Sequence, residues 1–295
     1  MKKALVGIVA FVALIGTPAF AANMALKVPP QPVTPSFSWT GFYVGGNVGY
    51  GWGQSSNTFN AFATGGGSTI CQSSSSAFGA LCVNGSETNN LNGAIGGLQA
   101  GYNFQSGKFL AGIEADFQMS GQNGGGSFTT NVLLLGPGIE TQTGTDSERI
   151  SWFGTLRGRL GITFDRWLVY STGGLAYGRV TNDGSATVTG FFCPSNTPPT
   201  LAACPLSSWS SSSINAGWTV GGGIEAALSN SWSIKAEYLY VDLGTVNTNF
   251  TTLPMCAGFE SGGGGACSGE AAGTGTIGGR VTVNILRAGL NYKFY

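Results

Sequence analysis

The chain has 295 residues, with 13 basic and 13 acidic side chains, a formal net charge of zero and no histidine. This balance excludes the broad basic surface that binding to nucleic acid requires. The lack of histidine removes the usual base of hydrolytic sites and the commonest haem and zinc ligand.

The first 21 residues have the pattern of a cleaved secretory signal. Lys2 and Lys3 precede an apolar run over residues 5–15, and the A-x-A triplet at 19–21 fits a cleavage site. The apolar run has about half of the ~20 residues that a membrane-spanning helix needs. We therefore predict export and a mature chain that starts at Ala22, with 11 basic and 13 acidic residues and thus a net charge of −2.

A proline-rich segment, residues 22–38, follows the signal and is predicted to be a periplasmic tether without a fold of its own. The rest of the chain, residues 39–295, is predicted to form one domain. Its composition, with 50 glycines in the whole chain and 9% charged residues, favours strands.

Alternation of apolar and polar residues, the signal for a half-buried strand, recurs eight times in this domain. In the third segment Phe109, Ile113 and Phe117 alternate with Glu114 and Asp116. The eight segments are 42–52, 94–104, 109–119, 149–164, 167–180, 214–228, 232–240 and 281–295.

The fourth segment, RISWFGTLRGRLGITF, shows how the faces are assigned. Ile150, Trp152 and Leu156 are placed on its apolar face, opposite Arg157 and Arg159. Alternation alone leaves the direction open, because a soluble sandwich buries the apolar face, whereas an outer-membrane barrel turns it toward lipid.

The connections favour the barrel. They alternate between about 30–40 residues and the short stretches QSGK, DR and SNS, and long loops at one end with tight turns at the other are typical of outer-membrane barrels. Segments of about 10 residues match a tilted crossing of the hydrocarbon layer. Aromatic residues beside the tight turns would lie at one membrane rim: Phe104, Phe109, Phe164, Trp167 and Trp232. The predicted fold is all-β, an eight-stranded antiparallel up-and-down transmembrane barrel with long extracellular loops and short periplasmic turns.

Three stretches resemble a known family. WTGFYVGGNVGYGWG, WFGTLRGRLGITFDRWLVYSTGGLAYGRV and the ending LRAGLNYKFY are similar to the small outer-membrane barrels of alphaproteobacteria, such as the RopB-type proteins of rhizobia and the major surface antigens of Brucella. The resemblance extends over nearly all the strands and fades in the loops. It implies a structural, surface-exposed protein of the outer membrane of a Gram-negative bacterium, of a family sometimes labelled porin, with no demonstrated chemical activity.

The end of the chain is the predicted assembly signal. The resemblance implies that barrel-assembly machinery reads alternate aromatics up to a terminal one. Tyr292 and Phe294 keep this alternation, whereas Tyr295 adds one position. A shifted register would turn Arg287 and Lys293 toward lipid, so we predict that Phe294 carries the signal.

The polar face supplies the candidate functional residues. In a barrel it lines a lumen that eight strands leave just wide enough for side chains to fill. Charges in so confined a space need partners. We predict a charge network that holds the barrel together rather than a selectivity filter. Its members are Glu114, Asp116, Arg157, Arg159, Glu225, Lys235, Glu237, Arg287 and Lys293.

All six cysteines fall into three C-x10-C units within predicted outer loops. In an exported protein such pairs are predicted disulfides, and the spacing does not suit structural zinc, whose cysteines usually lie two to four residues apart. Local pairing is the simplest of the 15 possible connectivities. The units are Cys71 with Cys82, Cys193 with Cys204, and Cys256 with Cys267.

The predicted function is structural support of the envelope by a protein that is not an enzyme and carries no cofactor. Expected partners are outer-membrane lipid, lipopolysaccharide and the barrel-assembly machinery. Two alternatives remain open: the loops bind a host or phage surface ligand, or the barrel is a small porin-like channel.

Overall fold

The computed structural model describes residues 37–65, 68–69, 82–133, 139–189, 203–251, 255–256, 270–271 and 273–294. Eight long strands make up most of them: β1 Gly41–Gly65, β2 Cys82–Ser106, β3 Phe109–Leu133, β4 Ile139–Phe164, β5 Trp167–Thr189, β6 Ala203–Ala227, β7 Trp232–Thr251 and β8 Gly273–Lys293. Three two-residue strand segments accompany them: Ser68–Thr69, Met255–Cys256 and Glu270–Ala271. Among the described residues, no helix is long and apolar enough to cross a membrane.

The eight strands close into a ring. Each pairs antiparallel with its neighbour in the chain, and β1 pairs with β8 from Tyr43 opposite Lys293 to Ala63 opposite Gly273. Closure leaves no sheet edge at the level of the apolar strand segments. The predicted eight-stranded antiparallel barrel is confirmed.

Tight turns join the strands at one end, which we call the turn end. Gly107 and Lys108 connect β2 to β3, Asp165 and Arg166 connect β4 to β5, and residues 228–231 connect β6 to β7. Gly107 and Asp165 have φ values of 59° and 52°. Glycine adopts this left-handed conformation freely, and aspartate is among the few other residues that tolerate it.

The strands are longer than the sequence predicts. They contain 20 to 26 residues rather than about 10. At about 3.3 Å per residue, 25 residues extend roughly 80 Å, well beyond a tilted crossing of the hydrocarbon layer. Their outer parts are rich in Ser, Thr, Asn and Gly, so apolar alternation did not reveal them.

Exposed large hydrophobic side chains form a belt around the turn-side half of the ring. Examples are Val48, Leu98, Ile113, Leu160 and Leu290, which are 44% to 73% exposed. Counted from the turn end, each strand has one last exposed large hydrophobic residue. From β1 to β8 these residues are Trp52, Leu98, Met119, Leu156, Tyr177, Ile214, Tyr238 and Leu286. We call this the apolar belt, and the strand parts beyond it the outer half.

The outer half divides into two sheets. The β2–β3 ladder stops at Asn92 opposite Asn123, and the β6–β7 ladder stops at Trp218 opposite Asp242. All other ladders continue outward, which leaves a sheet of β7, β8, β1 and β2 and a sheet of β3, β4, β5 and β6. Two seams therefore interrupt the wall. The β2–β3 seam lies above the belt, whereas the β6–β7 seam begins at Trp218, four residues before the last belt residue of β6, Ile214.

The assignment of Ile150 to the outward face is wrong. Ile150 is 1% exposed and belongs to the inner core, whereas Leu156 on the same strand is 52% exposed. An irregularity between Ile150 and Trp152 in the pairing with β5 shifts the alternation by one position. A bulge of this kind inserts one residue and reverses the faces beyond it.

Candidate functional site

A layer of charged side chains fills the ring at the level of the apolar belt. Eight of the nine predicted members meet there, each at most 5% exposed: Glu114, Asp116, Arg157, Arg159, Glu225, Lys235, Glu237 and Arg287. Four are acids and four are bases, so their formal charges cancel. We call these eight residues the charge layer.

Glu114 is the centre of the charge layer. Its carboxylate pairs with Arg157 and lies 2.9 Å from Lys235 Nζ, 3.4 Å from Arg159 Nη1 and 3.6 Å from Arg287 Nη2. The ladder between β3 and β4 places Glu114 directly opposite Arg157. One buried carboxylate thus partly compensates the charges of four cations.

Arg287 and Arg157 connect the other acids. Arg287 Nε donates to Glu237 at 2.7 Å and its Nη2 donates to Asp116 at 2.9 Å. Arg157 donates to the same two carboxylates, at 3.0 Å and 2.9 Å. Such guanidinium contacts with several acids cost little reorganisation because the donor fork is rigid.

Two tyrosines belong to this layer although sequence reasoning did not single them out. Tyr43 Oη donates to Glu114 at 2.7 Å and accepts a hydrogen bond from Arg159 Nη1 at 2.6 Å. The Arg159 guanidinium also lies 4.0 Å from the ring centroid of Tyr170, whose hydroxyl donates to Glu237 at 3.0 Å. Both tyrosines occupy inward positions of the strand alternation, and this position alone could have predicted that they face the lumen.

Polar bridges bring in β2 and β6. Arg159 Nη2 donates to Glu225 at 2.7 Å, and Asn291 donates to the same carboxylate at 2.8 Å. Gln99 on β2 donates to Asn291 at 2.6 Å and accepts from Asn47 at 3.0 Å. Together with the charge layer and the two tyrosines, these contacts involve all eight strands.

The ninth predicted member, Lys293, lies nearer the turn end. Its Nζ donates to the Ser38 carbonyl and sits 4.6 Å from the centroid of the Phe37 ring. Phe37 packs edge-on against Trp39, which is 3% exposed and clusters with Leu110. An aromatic and aliphatic cluster thus occupies the lumen between the turn end and the charge layer.

An apolar layer covers the opposite side of the charge layer, and sequence reasoning missed it. On β8 the inward residue Arg287 is followed outward by Ile285, Val283 and Val281, each at most 2% exposed. On β7 Glu237 is likewise followed by Leu239 and Val241. Both runs belong to one core cluster, so apolar side chains fill much of the lumen beyond the charges, together with the buried amides of Gln118 and Gln122 on β3.

Beyond the apolar layer, amides and carboxylates join the two sheets. Asn57 on β1 and Asn89 on β2 both donate to Asp146 Oδ2 on β4, at 3.2 Å and 2.5 Å. Asn57 also lies 3.4 Å from Glu148. We call these four residues and the adjacent Glu87 the outer acid cluster.

The outer acid cluster contains three acids and no base. The pKa of Glu87 is raised to about 7 by burial and by the charge and hydrogen bond of Asp146. Burial also raises the pKa of Glu148, against hydrogen bonds from Ser55 and Asn57. In the described outer half, the basic side chains of Arg149, Arg179 and Arg280 are on the exposed face.

The remaining predicted site residues are only partly described. Cys71, Cys193 and Cys267 lie outside the described residues, as do the side chains of Cys82, Cys204 and Cys256, so the disulfides stay predictions. The backbones of Cys82 and Cys204 belong to β2 and β6 rather than to loops, because the strands extend further than predicted.

The two residues of the predicted assembly signal face outward at the turn end. Tyr292 and Phe294 are 37% and 47% exposed, and their ring centroids are 5.1 Å apart. Phe294 N donates to the Phe42 carbonyl at 2.8 Å, which attaches the chain end to β1. Their role in assembly is still a prediction.

The charge layer is built for mutual neutralisation. Each of its carboxylates contacts guanidinium, ammonium, hydroxyl or amide groups, and an apolar cluster lies on either side of the layer along the axis of the ring. Among the described residues, no group of three or more His, Cys, Asp or Glu is arranged to hold a metal ion. The geometry supports a structural filling of the lumen.

Comparisons with known proteins agree with this geometry. A family model described as outer membrane protein beta-barrel domain matches residues 8–294. The chain is 33% identical to the 31 kDa outer-membrane immunogenic protein of Brucella melitensis over 305 residues, which cover 100% of both chains. It is 27% identical to the 22 kDa outer membrane protein of Rhizobium leguminosarum, covering 78% of this chain and 76% of the relative.

Among solved structures, the outer membrane protein OprG from Pseudomonas aeruginosa aligns with 87% of this chain and 97% of its own. The sequence identity is 14% and the TM-score is 0.36.

Proposed function

We propose a structural, non-enzymatic role in the envelope for this protein, which belongs to the outer membrane protein beta-barrel family. It is an outer-membrane protein of a group found in alphaproteobacteria.

The charge layer is the observation that carries the proposal. Eight buried charges contact one another across the lumen, and the tyrosines and amides bonded to them extend the network to all eight strands. Removing one partner of such a network leaves another charge buried without compensation, which typically costs about 3–5 kcal/mol. A barrel tied in this way resists deformation within the membrane.

The same contacts argue against an enzyme. Glu114 and Asp116 are the strongest candidates for an acid and base pair, yet Arg157 engages both of them and no histidine exists in the chain to act as a base. A catalytic carboxylate needs access to substrate, whereas these two are 0% and 5% exposed.

The test is complementation of a strain that lacks the protein. One copy is the full chain, and a second replaces residues 70–81, 190–202 and 257–269 by short Gly-Ser linkers while it keeps every long strand. A structural role predicts that both copies restore resistance to detergent and to large antibiotics. Loss of resistance in the second copy, at an equal level of assembled protein, would assign the function to the loops and overturn the proposal.

Assembly has to be checked in the same samples. A folded barrel migrates differently on a gel before and after boiling, so the heat-dependent shift measures the assembled fraction of each copy. Identical migration of the full chain in both conditions would contradict the barrel role itself.

A channel function is disfavoured by the filled lumen. Three fillings follow one another along the axis of the ring: the cluster around Trp39 and Leu110 at the turn end, the charge layer and the apolar layer. We expect no large, stable single-channel conductance in planar bilayers. A sustained conductance that responds to substitution of Glu114 would show that ions pass this filling.

A further inference from the structure

The seam between β6 and β7 is an interruption of the wall that specific contacts stabilise. The ladder stops at Trp218 opposite Asp242, although both strands continue outward. Asp242 Oδ1 accepts a hydrogen bond from the Gly244 amide at 2.8 Å, and Gly244 has a φ of 74°, a left-handed conformation that glycine adopts without strain. Asp242 Oδ2 accepts a hydrogen bond from Arg280 Nε on β8 at 2.9 Å.

Beyond this point both strands have an open edge. β6 continues to pair with β5, and β7 continues to pair with β8, each on its other side. In the described part of the chain, no ladder joins the two facing edges outward of Trp218 on β6 and Asp242 on β7. Such edges present backbone donors and acceptors to whatever enters the seam.

A groove of about 600 Å³ occupies this seam. Ser208, Ser210, Asn249 and Thr251 form its walls together with residues 274–276 of β8. The four named side chains are exposed, on the outward face of their strands.

The floor of the groove is a pair of aromatic rings. Trp209 and Phe250 point inward from the two edges, and their ring centroids are 5.3 Å apart. Trp209 Nε1 donates to Asn182 at 2.8 Å, which fixes the indole. The floor is therefore rigid and apolar, below walls of hydroxyl and amide groups.

No residue that lines the groove is charged. Two charged groups on neighbouring strands are already engaged: Asp183 accepts a hydrogen bond from Ser210 Oγ at 2.6 Å, and Arg280 pairs with Asp242. A phosphate or carboxylate group would thus find no available cation in the lining. The groove suits a neutral, hydroxyl-rich ligand with an apolar face.

The height of the groove above the apolar belt narrows the class of ligand further. On β6 the lining residue nearest the belt, Ser210, lies four residues beyond Ile214, and on β7 Asn249 lies eleven residues beyond Tyr238. With about 3.3 Å per residue and a strand tilt of about 35–45°, these residues lie roughly 10 Å and roughly 28 Å above the last exposed large hydrophobic residue of their strands. This is the level of headgroup sugars rather than of acyl chains.

We propose that the groove at the β6–β7 seam binds a neutral saccharide unit of the surrounding outer-leaflet glycolipid, lipopolysaccharide. The sugar hydroxyls pair with Asn249, Thr251, Ser208 and the open strand edges, and the C–H face of the ring packs on Trp209 and Phe250. The volume lies in the range of about 300–1,000 Å³ that small-ligand sites occupy. This inference is independent of the structural role proposed above.

The experiment uses the full chain folded in detergent and two probes. The first probe is the dephosphorylated core oligosaccharide released from rough lipopolysaccharide, and the second is lipid A, which lacks the core sugars. Saturation-transfer NMR and calorimetric titration measure binding. We expect saturable binding of the oligosaccharide and no competition by lipid A.

A pair of matched variants locates the site. Asn249→Ala with Thr251→Val removes polar groups from the groove, and Thr143→Val with Thr187→Val removes two exposed, mutually hydrogen-bonded hydroxyls from the paired β4–β5 wall. We expect about a tenfold loss of affinity for the groove variant, as for the loss of two hydrogen bonds, and less than about a twofold change for the control.

Three results would overturn the inference: no binding of the oligosaccharide, equal affinity in the groove and control variants, or full competition by lipid A. The heat-dependent gel shift confirms that each variant is folded. Hydrogen exchange supplies a second measurement, in which the oligosaccharide should slow exchange of the edge amides at 208–210. Protection of these amides by an added extended peptide but not by the oligosaccharide would assign the seam to a strand partner instead.

Discussion

The turn-side half and the outer half of this barrel use the same alternation for opposite purposes. On β8, Leu286 and Leu290 face outward and Arg287 faces inward, whereas a few residues further outward Val281 and Ile285 face inward and Arg280 faces outward. The strand does not change its pleat. What changes is the medium outside the wall.

Hydrocarbon outside and water outside impose different interiors. In the belt, apolar side chains are stable on the outside, so the lumen can hold charges as long as these neutralise one another. In the outer half the outside is wet, and burial of apolar side chains in the lumen becomes the main stabilising contribution. The adjacent pair Ile285 and Leu286 marks the level at which the solvent changes.

The two halves also differ in closure. The hydrogen-bonded ring is complete through the belt up to its upper edge at β6, because an unpaired backbone group in hydrocarbon costs several kcal/mol. The outer half tolerates two seams because water or a polar ligand can satisfy the open edges. The seams are therefore confined to the part of the wall from the upper edge of the belt outward.

Substitution of Glu114 should have the largest effect. Glu114→Ala leaves Arg157, Arg159, Lys235 and Arg287 with one acid fewer, and we expect a loss of about 3–5 kcal/mol in the free energy of unfolding. Urea unfolding in detergent, followed by the gel shift, measures it.

The matched control for Glu114 is Asp165→Asn in the turn between β4 and β5. Asparagine tolerates the left-handed φ of 52° at this position, and the site is exposed, so stability should barely change. Equal losses for the two variants would mean that the charge layer does not stabilise the turn-side half.

Leu239→Ala should have the next largest effect. Leu239 is 0% exposed in the apolar layer, and its truncation should cost about 2–5 kcal/mol. The control, Leu286→Ala, shortens a belt side chain that is 55% exposed and should cost much less in a micelle. The same urea experiment compares them, and a greater loss for Leu286 would reverse our assignment of the two faces.

Phe294→Ala tests the chain end. We expect a reduced fraction of heat-shifted, assembled protein in membranes, while deletion of Tyr295 should be nearly silent. The reason is that a one-residue shift of β8 would expose Arg287 to lipid at a cost of about 2–4 kcal/mol near the midplane. If deletion of Tyr295 impaired assembly more than Phe294→Ala, the assembly signal would be misassigned.

A change of pH should have the smallest effect, confined to the outer half. The pKa of Glu87 is about 7 in the folded protein against an ordinary value of 4.5, so the folded state holds a proton that the unfolded chain releases. Stability should therefore fall as the pH rises from about 4.5 to about 7, and change little above that range. Hydrogen exchange of the β2 amides measures this.

Glu87→Gln provides the control for the pH prediction. The amide cannot ionise, so the part of the pH dependence that comes from Glu87 should disappear. Asp146 and Glu148 also face this region, and the raised pKa of Glu148 gives a residual dependence of the same sign. An unchanged profile in Glu87→Gln would show that Glu87 is not the source of the pH dependence.

Sequence reasoning reached the turn-side half and stopped at the belt. Residues such as Phe117 and Leu290 alternate with charged or amide side chains, and this strong contrast predicts both the strands and their lipid-facing side. In the outer half, Ser, Thr, Gly and Asn dominate the outward positions, so the contrast is weak. Strand length was underestimated for that reason.

The fold class, the strand order, the tight turns and the inward position of residues such as Glu114 and Arg287 were determined by the sequence alone, because alternation and turn residues act locally. Only the tertiary structure decided which partners meet across the lumen and where the ladders stop. The bulge that turns Ile150 inward and the seam that begins at Asp242 depend on how strands distant in the chain fit together, and a local pattern carries no information about that fit.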